Sequence, residues 1–285
     1  MCRFLIYKGR EMLMADLLTK PEQSLIKQSY HARERKEPLN GDGFGVGWYV
    51  PEIDPEPCIF TSISPAWSNR NLSRLADKTR STCVFAHVRA ASPGIFVNEL
   101  NCHPFQFDKF MWMHNGRIAQ FNKIKRQLLR TLRDEVYDGI EGTTDSEHAF
   151  AVFLDKLYPH LEDYSADTLK KAMIATLKTL SKMTQKAGIS GPSHYNFALT
   201  DGQTVIATRY TNDPSVEPPT LYISSGDRLE SVDGEYRMRP AKGHDKAVII
   251  ASEPLTEDRN DWRPVPRNHL VIVSPELHIQ QLSLD

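Results

Sequence analysis

The sequence predicts an α+β protein, and the order of its apolar patterns is the main reason. Apolar runs of strand length dominate residues 2–114, amphipathic helical patterns fill about 121–187, and strand-length runs return in the remainder. Strands that come in blocks, without alternating helices, favour antiparallel sheets covered by helices over a parallel βαβ sheet. Because no long linker divides the chain, we expect one domain over residues 1–285.

The elements of the first part are set by apolar patterns and by turn residues. A strand is expected at 2–7, and a helical pattern at 11–30 is broken at Pro21. Apolar residues alternate with glycine over 41–49, as in a strand that another backbone approaches closely. The segment 58–63 is the expected partner strand, and a short helix is expected at 69–79.

The middle of the chain carries two further strands and the main helices. Strands are expected at 83–89 and at 110–114, the second ending in the turn signal His114-Asn115-Gly116. Thr144 and Glu147 form a capping-box pattern before the second of three helices. The three helices are expected at 121–138, 145–158 and 166–187. The β-rich remainder is expected to hold strands at 196–200, 204–210, 220–224, 247–251, 270–273 and 278–282.

The composition excludes several classes of protein. The 285 residues carry 35 Lys and Arg against 36 Asp and Glu, a net charge of −1, so a wide basic surface for nucleic acid is not expected. No apolar run approaches the roughly 18–20 residues that span a bilayer. The apolar run at 4–7 is also shorter than the roughly 7–15 residues of a signal-peptide core. We therefore expect a cytoplasmic protein with no membrane partner.

Cofactor and metal sites are not indicated by the spacing of glycine, cysteine and histidine. The glycine-rich segment 41–47 lacks the preceding strand and following helix of a dinucleotide-binding fingerprint. The four cysteines form no CxxC pair, and we expect free thiols in a reducing compartment. A set of five cysteine and histidine residues was considered as a metal site, but their spacing fits no zinc template. That set is Cys2, His87, Cys102, His103 and His114. No metal or cofactor is therefore predicted.

Cys2 is the first candidate for chemistry. A small residue after Met1 permits removal of the initiator methionine, which would leave a thiol and a free α-amine on one residue. Such an amine has a pKa near ~7.7–8.0, which suits a general base at neutral pH. A thiol activated in this way is a cysteine analogue of the threonine N-terminal nucleophiles. The alternative is that Cys2 only begins a buried strand.

Three more motifs contain candidate residues for chemistry, each with a structural alternative. Arg89 ends a strand and suits a carboxylate, although such an arginine often forms an internal ion pair. The Asn115 amide and the Gly116 N–H are two donors that could form an oxyanion hole, or simply a turn. Asp145 begins a helix, where it could receive an ammonium group or stabilise the helix terminus.

Taken together, these residues resemble the class II glutamine amidotransferases, which are N-terminal nucleophile hydrolases. The segments MCRFLIYKG and NGDGFGVGWY look most similar to the branch with the amidotransferase-like subunit of the fungal alternative glutathione-degradation pathway. The ergothioneine γ-glutamyl hydrolase is a more distant relative. The resemblance is dense over 2–150 and thinner over 151–285. It rests on Cys2, Ala-His-Val-Arg at 86–89, Asn-Cys-His-Pro at 101–104, His-Asn-Gly at 114–116, Thr-Asp-Ser-Glu at 144–147 and Ala-Ser-Glu-Pro-Leu at 251–255.

The resemblance implies a fold and a set of roles. The fold would be the four-layer αββα sandwich of the N-terminal nucleophile hydrolases. Cys2 would be the nucleophile, Asn115 and Gly116 the oxyanion donors, Arg89 the ligand of the substrate α-carboxylate, and Asp145 that of its α-amine. Better-known members carry Trp-Ala-Thr-His after the arginine, where this chain has Ala-Ala-Ser-Pro. The Trp and His contacts are therefore missing, and Ser92 is left to offer a hydroxyl to the carboxylate.

The implied activity is hydrolysis of a γ-glutamyl amide bond, in glutamine or in a γ-glutamyl peptide such as glutathione. Two alternatives stay open: an ammonia-supplying glutaminase subunit of a separate synthase, and a non-catalytic regulatory subunit. The biosynthetic members join this kind of domain to a synthase domain. One domain of this kind accounts for about the whole length given, so the acceptor would be water or a separate subunit. A partner protein subunit is therefore expected.

Overall fold

Two antiparallel sheets form the centre of the molecule in the computed structural model, which describes residues 2–34, 39–91 and 96–285. The first sheet has seven strands: β1 (Arg3–Leu13), β2 (Phe44–Val50), β3 (Asp54–Ser62), β4 (Arg80–Val88), β9 (Tyr222–Gly226), β12 (Ala247–Ala251) and β13 (Arg263–Pro264). Their spatial order is β13-β9-β12-β1-β4-β2-β3. The first strand of the chain thus lies in the middle of the sheet, next to one of the last.

The second sheet has six strands, in the order β15-β14-β8-β7-β6-β5. They are β5 (Phe105–Phe107), β6 (Phe110–Arg117), β7 (His194–Thr200), β8 (Val205–Arg209), β14 (His269–Val273) and β15 (Ile279–Ser283). A separate hairpin is formed by β10 (Arg228–Val232) and β11 (Glu235–Arg239).

Helices cover the outer faces of both sheets. They are α1 (Ala15–Leu18), α2 (Leu25–Gln28), α3 (Arg70–Ala76), α4 (Asn122–Leu129), α5 (Asp134–Tyr137), α6 (Asp145–Leu157) and α7 (Ala166–Lys186). The first three pack on the seven-stranded sheet, and α4 to α7 pack on the six-stranded sheet. The predicted α+β class and the four-layer αββα sandwich are thereby confirmed. In the described parts of the chain, no helix is both long and apolar enough to traverse a bilayer.

Residues 4–7 of β1 are apolar at every position because both faces of the strand are buried there. Phe4 and Ile6 point into the layer between the sheets, where they join Met111 of β6. Leu5 and Tyr7 point to the opposite face and pack beneath the helices. Because successive side chains of a strand alternate between faces, a strand buried on both sides has no position for exposed polar residues. This burial holds the residue before β1 in a fixed place.

The glycine alternation in β2 has the physical origin that the sequence suggested. A Cβ atom added at Gly45 would collide with the main-chain carbonyl oxygen of His103. His103 precedes β5 of the other sheet, so the two sheets approach each other closely at this point. The prediction that another backbone lies against this strand is confirmed.

Several predicted elements differ from the observed ones. Asn115 and Gly116 do not form a turn, because β6 continues through them and pairs them with Asn196 and Tyr195 of β7. The helix predicted at 121–138 is two helices, α4 and α5, separated at 130–133. Strands β5, β10, β11 and β13 were not predicted. Each of these four strands is five residues long or shorter, which gives a periodic pattern little length in which to show.

Candidate active site

Cys2 lies directly before β1, and its thiol is held against the chain that follows β4. Its Sγ lies 3.6 Å from the carbonyl oxygen of Ala90 and accepts a hydrogen bond from the Ala90 N–H at 3.4 Å. The pairing of β1 with β4 aligns Arg3 with Val88, which puts Cys2 beside Arg89. The residue is 8% exposed, so little of its surface is open to solvent.

Asn115 comes from the other sheet and reaches the same region through Ser252. The Asn115 Nδ2 donates to the Ser252 Oγ at 3.3 Å, and that oxygen also accepts from the Phe4 N–H at 3.0 Å. Ser252 returns its own N–H to the Phe4 carbonyl at 3.0 Å. The serine that follows β12 therefore ties the Asn115 amide to the chain two residues after Cys2. A second Nδ2 hydrogen is available for another acceptor.

Asp145 is placed by the beginning of helix α6 and by the end of β6. Its Oδ2 accepts from the Ile118 N–H at 2.6 Å, and its Oδ1 lies 3.5 Å from the Ser146 hydroxyl. Thr144 caps the helix by accepting from the Glu147 N–H at 3.2 Å, as the sequence predicted. The Glu147 carboxylate does not complete the predicted capping box, because it accepts from the N–H groups of Glu141 and Gly142 instead. The Asp145 carboxylate is half-buried at the helix N-terminus, where the helix dipole attracts a negative charge.

Arg89 is a buried cation without an internal counter-ion in the described parts of the chain. It is 3% exposed, and its Nη1 donates to the Asp42 carbonyl at 3.3 Å. The Asp42 carboxylate instead accepts from the Ala91 N–H at 2.8 Å. Burying a charge costs free energy unless the charge is paired. Because Arg89 forms no ion pair with the described residues, its guanidinium is better suited to bind the carboxylate of a ligand.

The charges of Arg89 and Asp145 both act on the Cys2 thiol. Burial raises the pKa of Cys2 to about 11, and the Ala90 hydrogen bond and the cations of Arg89 and Arg3 oppose this rise. Asp145 adds to the rise, because its negative charge disfavours a thiolate. The structure therefore brings Arg89 and Asp145 within electrostatic reach of the thiol. At neutral pH that thiol is protonated and requires a base before it can attack.

The remaining two predicted site residues are Ser92 and Gly116. Ser92 lies among residues 92–95, outside the described residues. Gly116 is half-buried in β6. A Cβ atom added there would collide with the carbonyl oxygen of His194, so the position leaves no room for a side chain.

Two of the three histidines considered as metal ligands form a buried aromatic stack. The rings of His87 and His103 lie 4.1 Å apart between centroids at an angle of 25°. Burial lowers the pKa of His87 to about 3 and also lowers the pKa of His103, so both rings are neutral. Across residues 2–34, 39–91 and 96–285, no group of three His, Cys, Asp or Glu is arranged to hold a metal ion.

An ion pair that the sequence did not reveal fixes the main chain at Cys2. The Arg3 Nε donates to the Glu253 Oε1 at 2.6 Å, and its Nη1 donates to the Cys2 carbonyl at 3.0 Å. The other Glu253 oxygen accepts from the Arg33 N–H at 2.8 Å. Ser252 and Glu253 were noted only as part of the 251–255 motif, and their partners 248–250 positions away carry no local signal.

Replacing Glu253 by glutamine is expected to destabilise the protein by about 3–5 kcal/mol. The change keeps the size of the side chain but leaves Arg3 as an unpaired charge, and the two side chains are 4% and 1% exposed. Chemical denaturation measures the free energy of unfolding. The matched control is Glu257→Gln, whose pairing with Arg33 has the same 2.6 Å distance at 40% and 54% exposure. Its loss should be at most about 1 kcal/mol. If both variants lost the same free energy of unfolding, burial of the Arg3–Glu253 pair would have no special effect.

Comparison with known proteins gives a consistent set of relatives. A family model described as glutamine amidotransferases class-II matches residues 13–280. The probable glutamine amidotransferase DUG3 of Saccharomyces cerevisiae is 43% identical, over 97% of this chain and 82% of its own length. The γ-glutamyl-hercynylcysteine sulfoxide hydrolase of Mycobacterium tuberculosis is 27% identical, over 96% of this chain and 93% of its own.

Solved structures show the same fold at low sequence identity. A glutamine aminotransferase class-II domain protein from Silicibacter pomeroyi superposes with a TM-score of 0.67 at 23% identity, over 99% of both chains. The glutamine phosphoribosylpyrophosphate amidotransferase of Bacillus subtilis gives 0.60 at 16%, over all of this chain and 49% of its own. The family match extends over nearly the whole chain, and the yeast relative is 43% identical over 97% of this chain. The chain therefore belongs to the class II glutamine amidotransferases.

Proposed function

We propose that this protein hydrolyses the γ-glutamyl amide bond of glutamine or of a γ-glutamyl peptide such as glutathione, with Cys2 as the nucleophile. The observation that carries the proposal is that groups from both sheets and from helix α6 approach the chain at residues 2–4. The Asn115 amide is linked through Ser252 to Phe4, and Arg89 and Asp145 act electrostatically on the thiol. The names of the yeast and mycobacterial relatives support the same bond as the target.

The nucleophile is activated by its own α-amine once Met1 has been removed. The amine takes the thiol proton, and the thiolate attacks the γ-carbonyl carbon to form a tetrahedral oxyanion. This transfer leaves a positively charged α-ammonium beside the thiolate. Like the cations of Arg89 and Arg3, the ammonium stabilises the thiolate and opposes the effect of burial on the Cys2 pKa. A base with a pKa near ~7.7–8.0 is well matched to this transfer at neutral pH.

The oxyanion is held by the free Nδ2 hydrogen of Asn115 and by the Gly116 N–H. When it collapses, the carbon–nitrogen bond breaks and the ammonium of Cys2 gives its proton to the leaving amine. A glutamyl thioester remains on Cys2. The α-amine then takes a proton from water, the hydroxide adds to the thioester, and glutamate leaves as the thiol is regenerated. No cofactor takes part in these steps.

The glutamyl head is recognised by two opposite charges. The Arg89 guanidinium binds the α-carboxylate, which supplies the counter-ion that the buried cation lacks among the described residues. The Asp145 carboxylate, held by the Ile118 N–H, binds the α-ammonium. Each charged hydrogen bond in such a site is worth about 1.5–3 kcal/mol.

This recognition predicts losses that depend on the substrate. Arg89→Lys keeps the positive charge beside the thiol but loses the bidentate fork, so kcat/KM for glutamine should fall roughly 10–150-fold. For 4-aminobutanamide, which lacks the α-carboxylate, it should hardly change. Asp145→Asn should likewise reduce kcat/KM for glutamine while sparing glutaramic acid, which lacks the α-amine. Steady-state kinetics on the three substrates measures these ratios.

The control separates recognition from folding. Arg74→Ala removes an exposed arginine on α3 and should leave all three kcat/KM values unchanged. Melting temperatures of all variants are measured in parallel. If Arg89→Lys and Asp145→Asn lower activity on every substrate by the same factor, the two residues only support the fold and the proposed pocket is wrong.

We propose further that a partner protein is needed for full activity, as the resemblance to a pathway subunit implies. The complex is purified from the source cells through a tag on this chain. Its specific activity on glutamine and glutathione is compared with that of the isolated recombinant chain. We expect a higher kcat/KM for the complex, restored when the co-purified protein is added back to the isolated chain. Equal activities would contradict the proposal.

A further inference from the structure

A cleft of about 590 Å³ lies beside the candidate active site and is not explained by the proposed reaction. Strands β3 and β5, which are edge strands of the two sheets, form two of its walls, and helix α6 forms a third. None of Cys2, Arg89, Asn115 or Asp145 lines it. Its volume falls within the roughly 300–1,000 Å³ that is typical of small-molecule sites.

The charges around this cleft are all of one sign. Four carboxylates line it, from Glu99, Asp108, Glu141 and Glu147, and no described lining residue is basic. The first three are exposed, whereas Glu147 is 7% exposed. An apolar floor that includes Phe105 and Phe150 completes the surface. Together the lining suits a ligand with a positive group and an apolar body.

Glu147 gives the second and more specific indication. Its Oε1 accepts from the N–H groups of Glu141 and Gly142, at 2.8 and 3.0 Å. Its Oε2 is buried and has no hydrogen-bond partner among the described residues. Burial raises the pKa of this carboxyl, and those two backbone bonds only partly oppose the rise. Burying an oxygen without a hydrogen-bond donor costs free energy, and an N–H group of a bound cation would supply the missing donor.

We propose that this cleft binds a small organic cation, an ammonium or guanidinium group carried on an apolar body. The positive group donates to the Glu147 Oε2, and the apolar body lies on the aromatic floor near Phe105 and Phe150. The exposed carboxylates at the rim attract the cation and add smaller contributions, because solvent screens them. The ligand class follows from charge and shape, and the site is separate from the glutamyl pocket.

Isothermal titration calorimetry of the full chain tests this with three probes of similar shape. They are 2-phenylethylammonium, uncharged 2-phenylethanol and anionic 3-phenylpropionate. We expect one ammonium per chain, with the alcohol at least roughly tenfold weaker and the anion not bound. Glu147→Gln keeps an acceptor for the two N–H groups but removes the charge. It should weaken ammonium binding roughly tenfold and leave binding of the alcohol unchanged.

Controls address charge, folding and the neighbouring pocket. Glu162→Gln removes one exposed carboxylate on the chain between α6 and α7 and should leave ammonium binding unchanged. If Glu147→Gln does not fold, the exposed pair Asp108→Asn and Glu141→Gln should weaken ammonium binding about threefold. Equal binding of ammonium and alcohol to the wild-type chain would overturn the proposal. The proposal would also be overturned if Asp145→Asn lost ammonium binding and Glu147→Gln retained it, because the probe would then occupy the glutamyl pocket.

Discussion

Replacing Cys2 by alanine is expected to abolish the release of glutamate from both glutamine and glutathione while leaving the fold intact. The Cys2 thiol makes its only side-chain hydrogen bonds to the main chain of Ala90, at 3.4 and 3.6 Å, within the described residues. Its loss therefore removes little stability. It removes the atom that would carry the glutamyl thioester. Cys102 also lies within electrostatic reach of Arg89, but it has no α-amine of its own to serve as a base.

The measurement combines turnover with trapping of the intermediate. Hydroxylamine intercepts a thioester as a γ-glutamyl hydroxamate, which the wild-type chain should form and the Cys2→Ala variant should not. Cys2→Ser should be far less active than wild type, since a hydroxyl is a poorer nucleophile near neutral pH. Cys58→Ala is the matched control, because Cys58 is exposed on β3 and should be dispensable.

A variant with one residue inserted between Met1 and Cys2 separates the thiol from the amine. It retains the Cys2 side chain but converts the α-amine into an amide, so the thiol keeps its raised pKa near 11 and lacks a base. We expect activity to fall nearly as far as in Cys2→Ala. Mass spectrometry of the intact chains establishes which of them has lost Met1. Wild-type turnover by the insertion variant, or by Cys2→Ala, would refute the assigned mechanism.

The second large effect is expected from Asn115→Ala, which should lower kcat about 10²–10³-fold with little change in KM. The oxyanion carries charge that develops only in the transition state, so its donor affects kcat more than ground-state binding. The Ser252 hydroxyl keeps its hydrogen bond from the Phe4 N–H after the change, which preserves the path of β1. Steady-state kinetics on glutamine gives both constants.

Asn196→Ala provides a control of matched environment. Asn196 faces Asn115 across the β6–β7 pairing, both residues are fully buried, and the Asn196 Nδ2 donates to the Pro219 carbonyl at 2.8 Å. The control should lose thermal stability without a comparable loss of kcat. If Asn115→Ala raises KM alone, Asn115 contacts the ground-state substrate and the oxyanion donors lie elsewhere.

Much of the fold was predictable because its strands are apolar over enough residues to show a pattern. Residues 247–251 were predicted as a strand with the bounds that β12 has, and Thr144 caps α6 as its spacing implied. The turn expected at Asn115-Gly116 was wrong because pairing with β7 overrides a local preference. Pairing between distant strands cannot be predicted from a local sequence pattern, although it determines which residues face each other.

The candidate site was predictable as a set of residues but not as an arrangement. Cys2, Arg89, Asn115 and Asp145 come from the sequence and its family resemblance, and their roles remain predictions. The bridge through Ser252 and the buried pairing of Arg3 with Glu253 depend on contacts between residues 248–250 positions apart. No spacing rule reaches that far, so these supports emerge only from the folded chain.

The central position of β1 has a consequence for the order of events during synthesis. Residues 5–9 pair with residues 247–251, so one edge of β1 has no partner until the end of the chain is available. At roughly 5–20 residues per second, the ribosome adds the intervening part in about 12–50 s. Until then the sheet that encloses Cys2 is incomplete, whereas in the finished fold Cys2 is 8% exposed. We therefore expect any removal of Met1 to take place on the nascent chain, before β1 acquires its last partner strand.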